Sequence, residues 1–364
     1  MLFEAWLQPA PALARLGEPS DETVLWNDLV RRAIQPVLPA PRQRRQCGFI
    51  LATTKGDIGR LETWLSAVDA KGDGERLRGL PPTAPSASYQ TPTAGPSVVP
   101  LLSQSVGTLA DQFKLDGPRF CVSTACTSGL AGLIEAAMMV QTGEAPRMLV
   151  CGADIAGGFV RDGFAALKAI SATACRPFDK HRDGLALGSA AAASLVEPAP
   201  VMPRRGTSPA IALAGWAVAT DAVHLTAPDR QAGGLIRAIQ GALAMAGIEP
   251  GQVDAVLLHG TGTPYNDAME ATAMRRLFTH QPPLTAVKGL IGHTLGASGL
   301  IETALAARML QRQLVPPVTG LRESQFPDLR LVQGRPLRRP LRHVLKTASG
   351  FGGLNAAVIL AARR

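Results

Sequence analysis

Cys126 lies in STACTSGL (123–130), where an apolar run ends and a helical pattern begins. Small neighbours leave its sulfur approachable, and a helix N-terminus presents roughly +0.5 of an elementary charge. That field favours a thiolate and lowers the thiol below its free pKa of about 8.5. Taken alone, the same cysteine fits an inert buried residue; Cys47, Cys121, Cys151 and Cys175 keep that reading. His259 opens HGTGTPYND (259–267) directly after an apolar strand pattern, at the carboxyl edge where α/β sheets place their sites. Gly260 and Gly262 admit close backbone approach, and Thr261 and Thr263 offer hydroxyls. A turn with a structural histidine fits that stretch equally well. VKGLIGHTLGASG (287–299) sets Lys288 five residues before His293. A lysine is rarely buried without a partner, and Glu302 is within reach as one. In ASGFGGLNA (348–356) three glycines surround Phe351, and N–H groups freed by such a turn can form part of an oxyanion hole. His259 and His293 lack metal-ligand spacing, and no phosphate-binding glycine loop is matched, so no metal is expected. His181, His224, His280 and His343 have no site-like context.

Positioning these residues requires a framework, and the sequence supplies one. GFILATT (48–54), RFCVSTA (119–125) and RMLVCGAD (147–154) are short apolar runs. Between them, Leu130, Leu133, Ile134, Ala137 and Met138 recur at helical spacing within 127–142. A helix is expected over 22–34, within a Pro- and Arg-rich opening stretch, and a turn-rich loop over 81–100. The Pro-rich segment 197–209 reads as a connector. Beyond it come strand patterns at 211–218, 253–260 and 355–362, with helices at 233–246, 266–278 and 298–314. Apolar runs separated by helices predict a parallel sheet covered on both faces. The two halves share one grammar without a visible sequence repeat.

The composition is globular: 46% hydrophobic, 18% charged, 37 glycines and 29 prolines. Only 4% is aromatic, so aliphatic side chains must fill the core. The formal charge of +9 suits an acidic partner as well as nucleic acid, but two tyrosines make no base-stacking platform. Five cysteines, an odd count without CxxC spacing, argue against a disulfide framework or a zinc site. No apolar run reaches the ~20 residues that span a bilayer, and no signal peptide is read at the start; a cytosolic (cytoplasmic) protein is expected.

In this order the segments TACTSG, HGTGTPYND, KGLIGHTLGASG and GFGGLNA, together with RPFDKHRDG (176–184), resemble the β-ketoacyl-acyl-carrier-protein synthases of the type I/II branch. The resemblance runs from about Gly48 to the C-terminus. It implies an α/β thiolase fold: two pseudo-symmetric βαβαβ halves in a layered αβαβα arrangement. One body is expected, with the nucleophile in an N-terminal half (about 1–200) and both histidines in a C-terminal half (about 210–364). By the same resemblance Cys126 takes an acyl group from a carrier-protein thioester, and the N–H groups of Cys126 and Phe351 hold its oxygen. His259 and His293 then stabilise the enolate formed from a malonyl thioester. Lys288 with Glu302 organises that side of the site, Thr261 and Thr263 line the pantetheine tunnel, and Phe351 acts as a gate. No bound cofactor is implied, since the phosphopantetheine belongs to the acyl carrier protein. A homodimer, or a heterodimer with a related chain, is implied.

Three departures stand out. The family's opening strand with its Gly-x-Gly turn is missing from residues 1–46. Gly289 and Ile291 replace frequent Ser and Thr, and Ala348 and Ser349 precede GFGG where Ser and Phe are common. These point to a specialised enzyme of secondary-metabolite or polyene type. The alternative is a chain-length-factor-like or partner-dependent subunit; such chains typically lose the nucleophile, which is retained here.

Overall fold

The computed structural model describes residues 2–6, 22–57, 102–198 and 211–362; the loop expected at 81–100 and most of the connector at 197–209 lie outside them. The first sheet comprises β1 (Leu2–Trp6), β2 (Cys47–Ala52), β3 (Arg119–Val122), β4 (Arg147–Asp154) and β5 (Ala190–Val196), ordered β1-β5-β4-β2-β3. The second comprises β6 (Ile211–Thr220), β7 (Ala255–Leu257), β8 (Leu284–Thr285), β11 (His343–Ser349) and β12 (Leu354–Ala362), ordered β6-β12-β11-β7-β8. The short β9 (Leu314–Val315) and β10 (Leu337–Arg338) pair separately. Both large sheets thus follow one scheme. The first strand of each set pairs antiparallel with the fifth and the fifth with the fourth, while the fourth, second and third run parallel.

The sheets are therefore mixed, which corrects the expectation of a parallel sheet. Runs such as RMLVCGAD are buried along their whole length, and burial on both faces removes the alternation that normally marks an antiparallel strand. The second correction concerns the opening residues. LFEAW forms β1, with Leu2 opposite Leu195 and Trp6 opposite Ala191. Without it the buried strand β5 would present an unpaired edge, and buried backbone groups require partners.

Alternate residues of each strand face different layers. Ile50, Val150, Val344 and Val358 point to a central core with Leu130, Leu133, Leu300 and Ile301. These last belong to α3 (Ser128–Thr142) and α7 (Ser298–Arg312), which lie between the sheets. Phe49, Leu51 and Leu149 face outward onto α1 (Glu22–Ile34) and α2 (Leu102–Phe113). Leu345 and Ile359 face α5 (Gly233–Ala246) and α6 (Pro264–Leu277). The result is five layers, αβαβα, as in the thiolase fold. A short α4 (Gly158–Ala166) follows β4 and buries only Val160. Met138, expected in the apolar stripe of α3, is 45% exposed.

Candidate active site

Every loop that carries chemistry leaves the carboxyl end of a parallel strand. Cys126 sits between β3 and α3, preceded by Ala125 at φ +50°. Such a conformation is unusual for a residue with a Cβ; here it turns the chain sharply enough to bring the thiol inward, 7% exposed. Thr124 and Ala125 carbonyls accept from the Thr127 and Ser128 hydroxyls at 2.6 Å each, locking the turn.

His259 ends the β7 run. Its N–H and that of Gly260 both donate to Glu270 of α6, at 2.7 Å, and Thr261 N–H donates to Asp267 at 3.1 Å. Two carboxylates on one helix thus hold the HGTGT loop. Gly260 and Gly262 have φ +48° and +76°, which lets the loop fold over them. RPFDKHRDG packs against this loop: Phe178 N–H donates to Asp267 at 2.8 Å, and the Arg182 guanidinium lies 3.5 Å from it. Burial pushes Asp267 up to about 6, against the lowering effect of the Phe178 N–H.

His293 follows Gly292 (φ +70°). Its Nδ1 accepts from Leu295 N–H at 3.2 Å and lies 3.1 Å from the Ser298 hydroxyl. On His259 the same atom lies 3.2 Å from the Lys288 Nζ, an ammonium that can only donate. Both imidazoles therefore accept at Nδ1 and carry their proton on Nε2. The rings meet edge to face, 5.3 Å apart at 84°, and among the described residues nothing bonds the buried His293 Nε2. Burial first, then Lys288, holds both histidines well below 6.5, so both are neutral.

Behind the histidines lies a buried ionic cluster. Lys288 donates to the His259 carbonyl at 2.6 Å and bonds to Glu302, whose other oxygen is 2.7 Å from Lys346 Nζ. Lys346 and Glu270 were missed by sequence reasoning. A lysine inside the apolar strand HVLKTAS is a legible signal, because it demands a buried counter-charge.

Cys126, His259, Thr261, Thr263, His293 and Phe351 line one cavity of about 380 Å³. Lys288 and Glu302 stand behind it and fix orientation. The Thr261 and Thr263 hydroxyls are 2.8 Å apart. Phe351 stacks on Phe164 (5.8 Å between ring centres), and its backbone N–H exerts a small lowering effect on the Cys126 thiol. The expectation of a lowered thiol pKa is corrected: burial pushes Cys126 up to about 11, overriding Lys288 and the Phe351 N–H. The departures also find reasons. A Cβ at Gly289 would lie 2.1 Å from the Thr319 carbonyl, so a serine has no room there. The Ser349 hydroxyl donates to Asn355 at 2.7 Å and faces the cavity.

One ligand atom from each of Cys126, His259 and His293 lies within 4.8 Å of the others, a set that could enclose a metal ion. The tautomers oppose it, because a metal needs the Nε2 lone pair. The Lys288 ammonium repels a cation as well.

Known proteins resemble this chain. The N-terminal domain of β-ketoacyl synthases matches residues 79–201 and their C-terminal domain matches residues 211–322. This chain belongs to the β-ketoacyl synthase family. It is 32% identical over 271 residues to "3-oxoacyl-[acyl-carrier-protein] synthase 2" of Coxiella burnetii, covering 71% of this chain and 66% of that protein. It is 36% identical over 270 residues to "Putative polyketide beta-ketoacyl synthase 1" of Streptomyces halstedii, covering 71% of this chain and 64% of that protein. The match thus spans just under two thirds of the length of these curated relatives. Among solved structures, a chain of "The ishigamide ketosynthase/chain length factor" superposes with a TM-score of 0.77 at 27% identity, covering 88% of this chain and 76% of that one. In this β-ketoacyl synthase both histidines share one tautomer. Among the described residues no helix is long and apolar enough to cross a membrane.

Proposed function

We propose that this chain catalyses decarboxylative Claisen condensation of an acyl thioester with a malonyl thioester on acyl carrier protein. The observation that carries this reading is the meeting of Cys126 with two neutral imidazoles, each fixed as an Nε2–H donor. In the first step the Cys126 sulfur attacks the acyl carbonyl, the pantetheine sulfur leaves, and the thiol proton goes to it. Splitting the reaction in this way replaces one hard step with two easier ones. Phe351 N–H, which already acts on the Cys126 thiol, is placed to hold the oxyanion together with the Cys126 N–H. In the second step the malonyl group loses carbon dioxide. The Nε2–H donors of His259 and His293 stabilise the resulting enolate oxygen, its carbon attacks the acyl-cysteine, and the thiolate leaves and regains a proton. No resident cofactor is needed for either step, since the pantetheine arm arrives with the carrier protein. Thr261 and Thr263 line its path, and Phe351 gates the cysteine. The relatives named above support fatty acid or polyketide synthesis as the setting.

A partner chain forms part of the proposal. The strand β3 is the last of its sheet and carries Phe120 at 42% exposure, and the ketosynthase/chain length factor neighbour supports pairing with a like or related chain. Five free thiols support a reducing, cytosolic setting. The second reading, a subunit that works only beside a partner, shares this site.

Intact-protein mass spectrometry after incubation with acyl-carrier-protein thioesters tests the reading. Wild type should gain one acyl group and Cys126→Ala none. His293→Ala should still be acylated yet fail to release carbon dioxide from malonyl carrier protein. A Cys126→Ala chain that still acquires the label would refute the nucleophile.

A further inference from the structure

The segment carrying His293 is seated in a socket built by the first half of the chain. Its turn, 294–297, runs between β2, β4 and α3, and glycines open the space. A Cβ at Gly129 would lie 2.5 Å from the Gly296 carbonyl, and one at Gly152 3.1 Å from it. A Cβ at Gly296 would lie 2.6 Å from an Asp154 oxygen and 2.9 Å from Thr53 Cα. At the bottom of the socket is Asp154, fully buried at the end of β4. Its carboxylate accepts from Gly296 N–H at 2.7 Å, from Thr54 N–H at 2.9 Å and from the Thr53 hydroxyl at 2.9 Å, with Lys55 Nζ at 3.6 Å. One residue before Gly296, Leu295 is held at φ +51°, a left-handed conformation of about 1–2 kcal/mol for a residue with a Cβ. That conformation aims the Leu295 N–H at His293 Nδ1.

We infer that Asp154 is a positioning residue for the enolate-forming half-reaction: by holding Gly296 it keeps Leu295 in its strained conformation and so fixes the tautomer of His293. The inference rests on the function proposed above for its catalytic consequence, but the tautomer can be read without activity. Asp154 forms no part of the cavity wall. Its action passes through the backbone of 294–296. The His259 tautomer, set by Lys288, is independent of it.

The experiment is ¹⁵N-histidine NMR on the full chain and on Asp154→Asn, with His293→Asn to assign the signal. The substituted amide has the same shape as the carboxylate but turns an N–H₂ toward donors that need an acceptor. His293 should be a single Nε2–H tautomer in wild type and a mixture in Asp154→Asn, while His259 is unchanged. In the two half-reactions, acylation of Cys126 should stay within about threefold and malonyl decarboxylation should fall at least about tenfold, the scale of a misplaced catalytic group. An unchanged His293 signal in the folded variant overturns the inference, as does an equal loss in both half-reactions. If wild type shows the expected tautomer but neither half-reaction, the proposed function fails and this inference stands. Should Asp154→Asn not fold, Thr53→Val, which removes one donor to the carboxylate, must show the same mixing at smaller amplitude or the inference falls.

Discussion

At the scale of single residues, the site couples three groups whose protonation is set by burial. Cys126 is pushed up to about 11 from an ordinary 9.0, and both histidines are held well below 6.5. Around neutrality all three are therefore uncharged, and in the proposed reaction the sulfur loses its proton during attack rather than before it. Iodoacetamide labelling of Cys126 in the free protein should accordingly rise with pH from about 8 to about 10, by close to tenfold per unit, without levelling off. A plateau below about pH 9 would mean a resting thiolate. Linkage has the same origin. A thiol with a raised folded pKa stabilises the fold below pH 9.0, and that contribution is lost as pH rises toward about 11. Histidines with depressed values contribute above 6.5 and lose that contribution as pH falls below it.

At the scale of elements, α3 and α7 show how small residues decide what can approach. A Cβ at Gly299 would lie 2.3 Å from the Leu130 nitrogen and 2.9 Å from the Gly129 carbonyl carbon. The two helices cross almost backbone on backbone, which sets the depth at which Cys126 and His293 meet. Overpacking of this kind typically costs about 1–3 kcal/mol, so Gly299→Ala should lower stability by that amount in urea unfolding. A neutral result would show that the helices have slack. Legibility in the sequence was also decided at this scale. The helix at 233–246 could be read from its apolar side and β4 from its continuous apolar run, and the helix at 22–34 was legible as well. The strand β5, AAAASLV, could not, because alanine favours helix locally and only burial between layers makes it a strand. The Leu102–Phe113 helix was passed over beside a Pro-rich stretch. The four motifs identified the lining groups proposed for the chemistry, though not Phe164 or Asp221 beside them; Asp154 and Lys346 act through contacts distant in sequence, and Glu270 holds N–H groups ten and eleven residues before it.

For the molecule as a whole, the same strand order occurs twice, and the chemistry is divided between the two copies. The proposed nucleophile, Cys126, follows the third strand of the first sheet. His293 lies in the corresponding connection after β8, and His259 follows β7. The exposed edge strand β3, with Phe120, is the natural place for a second chain to add. Light scattering should give twice the 38.1 kDa of the single chain for a homodimer, or the summed mass of the two chains for a complex with a related chain, and Phe120→Asp should shift that mass toward one chain. An unchanged mass would place the contact elsewhere.

The glycine socket around residue 296 carries a further consequence, for heredity. Gly129 and Gly152 come from a central helix and a strand, yet the space each leaves is filled by the backbone of Gly296 in the His293 turn, while the space at Gly296 is filled by Asp154 and Thr53. Gly129 and Gly152 cannot enlarge while Gly296 stays where it is, and Gly296 cannot while Asp154 and Thr53 stay. Across descendants of this sequence the socket residues and the turn they hold should therefore change together or not at all, so that drift in either half is held in check by the other.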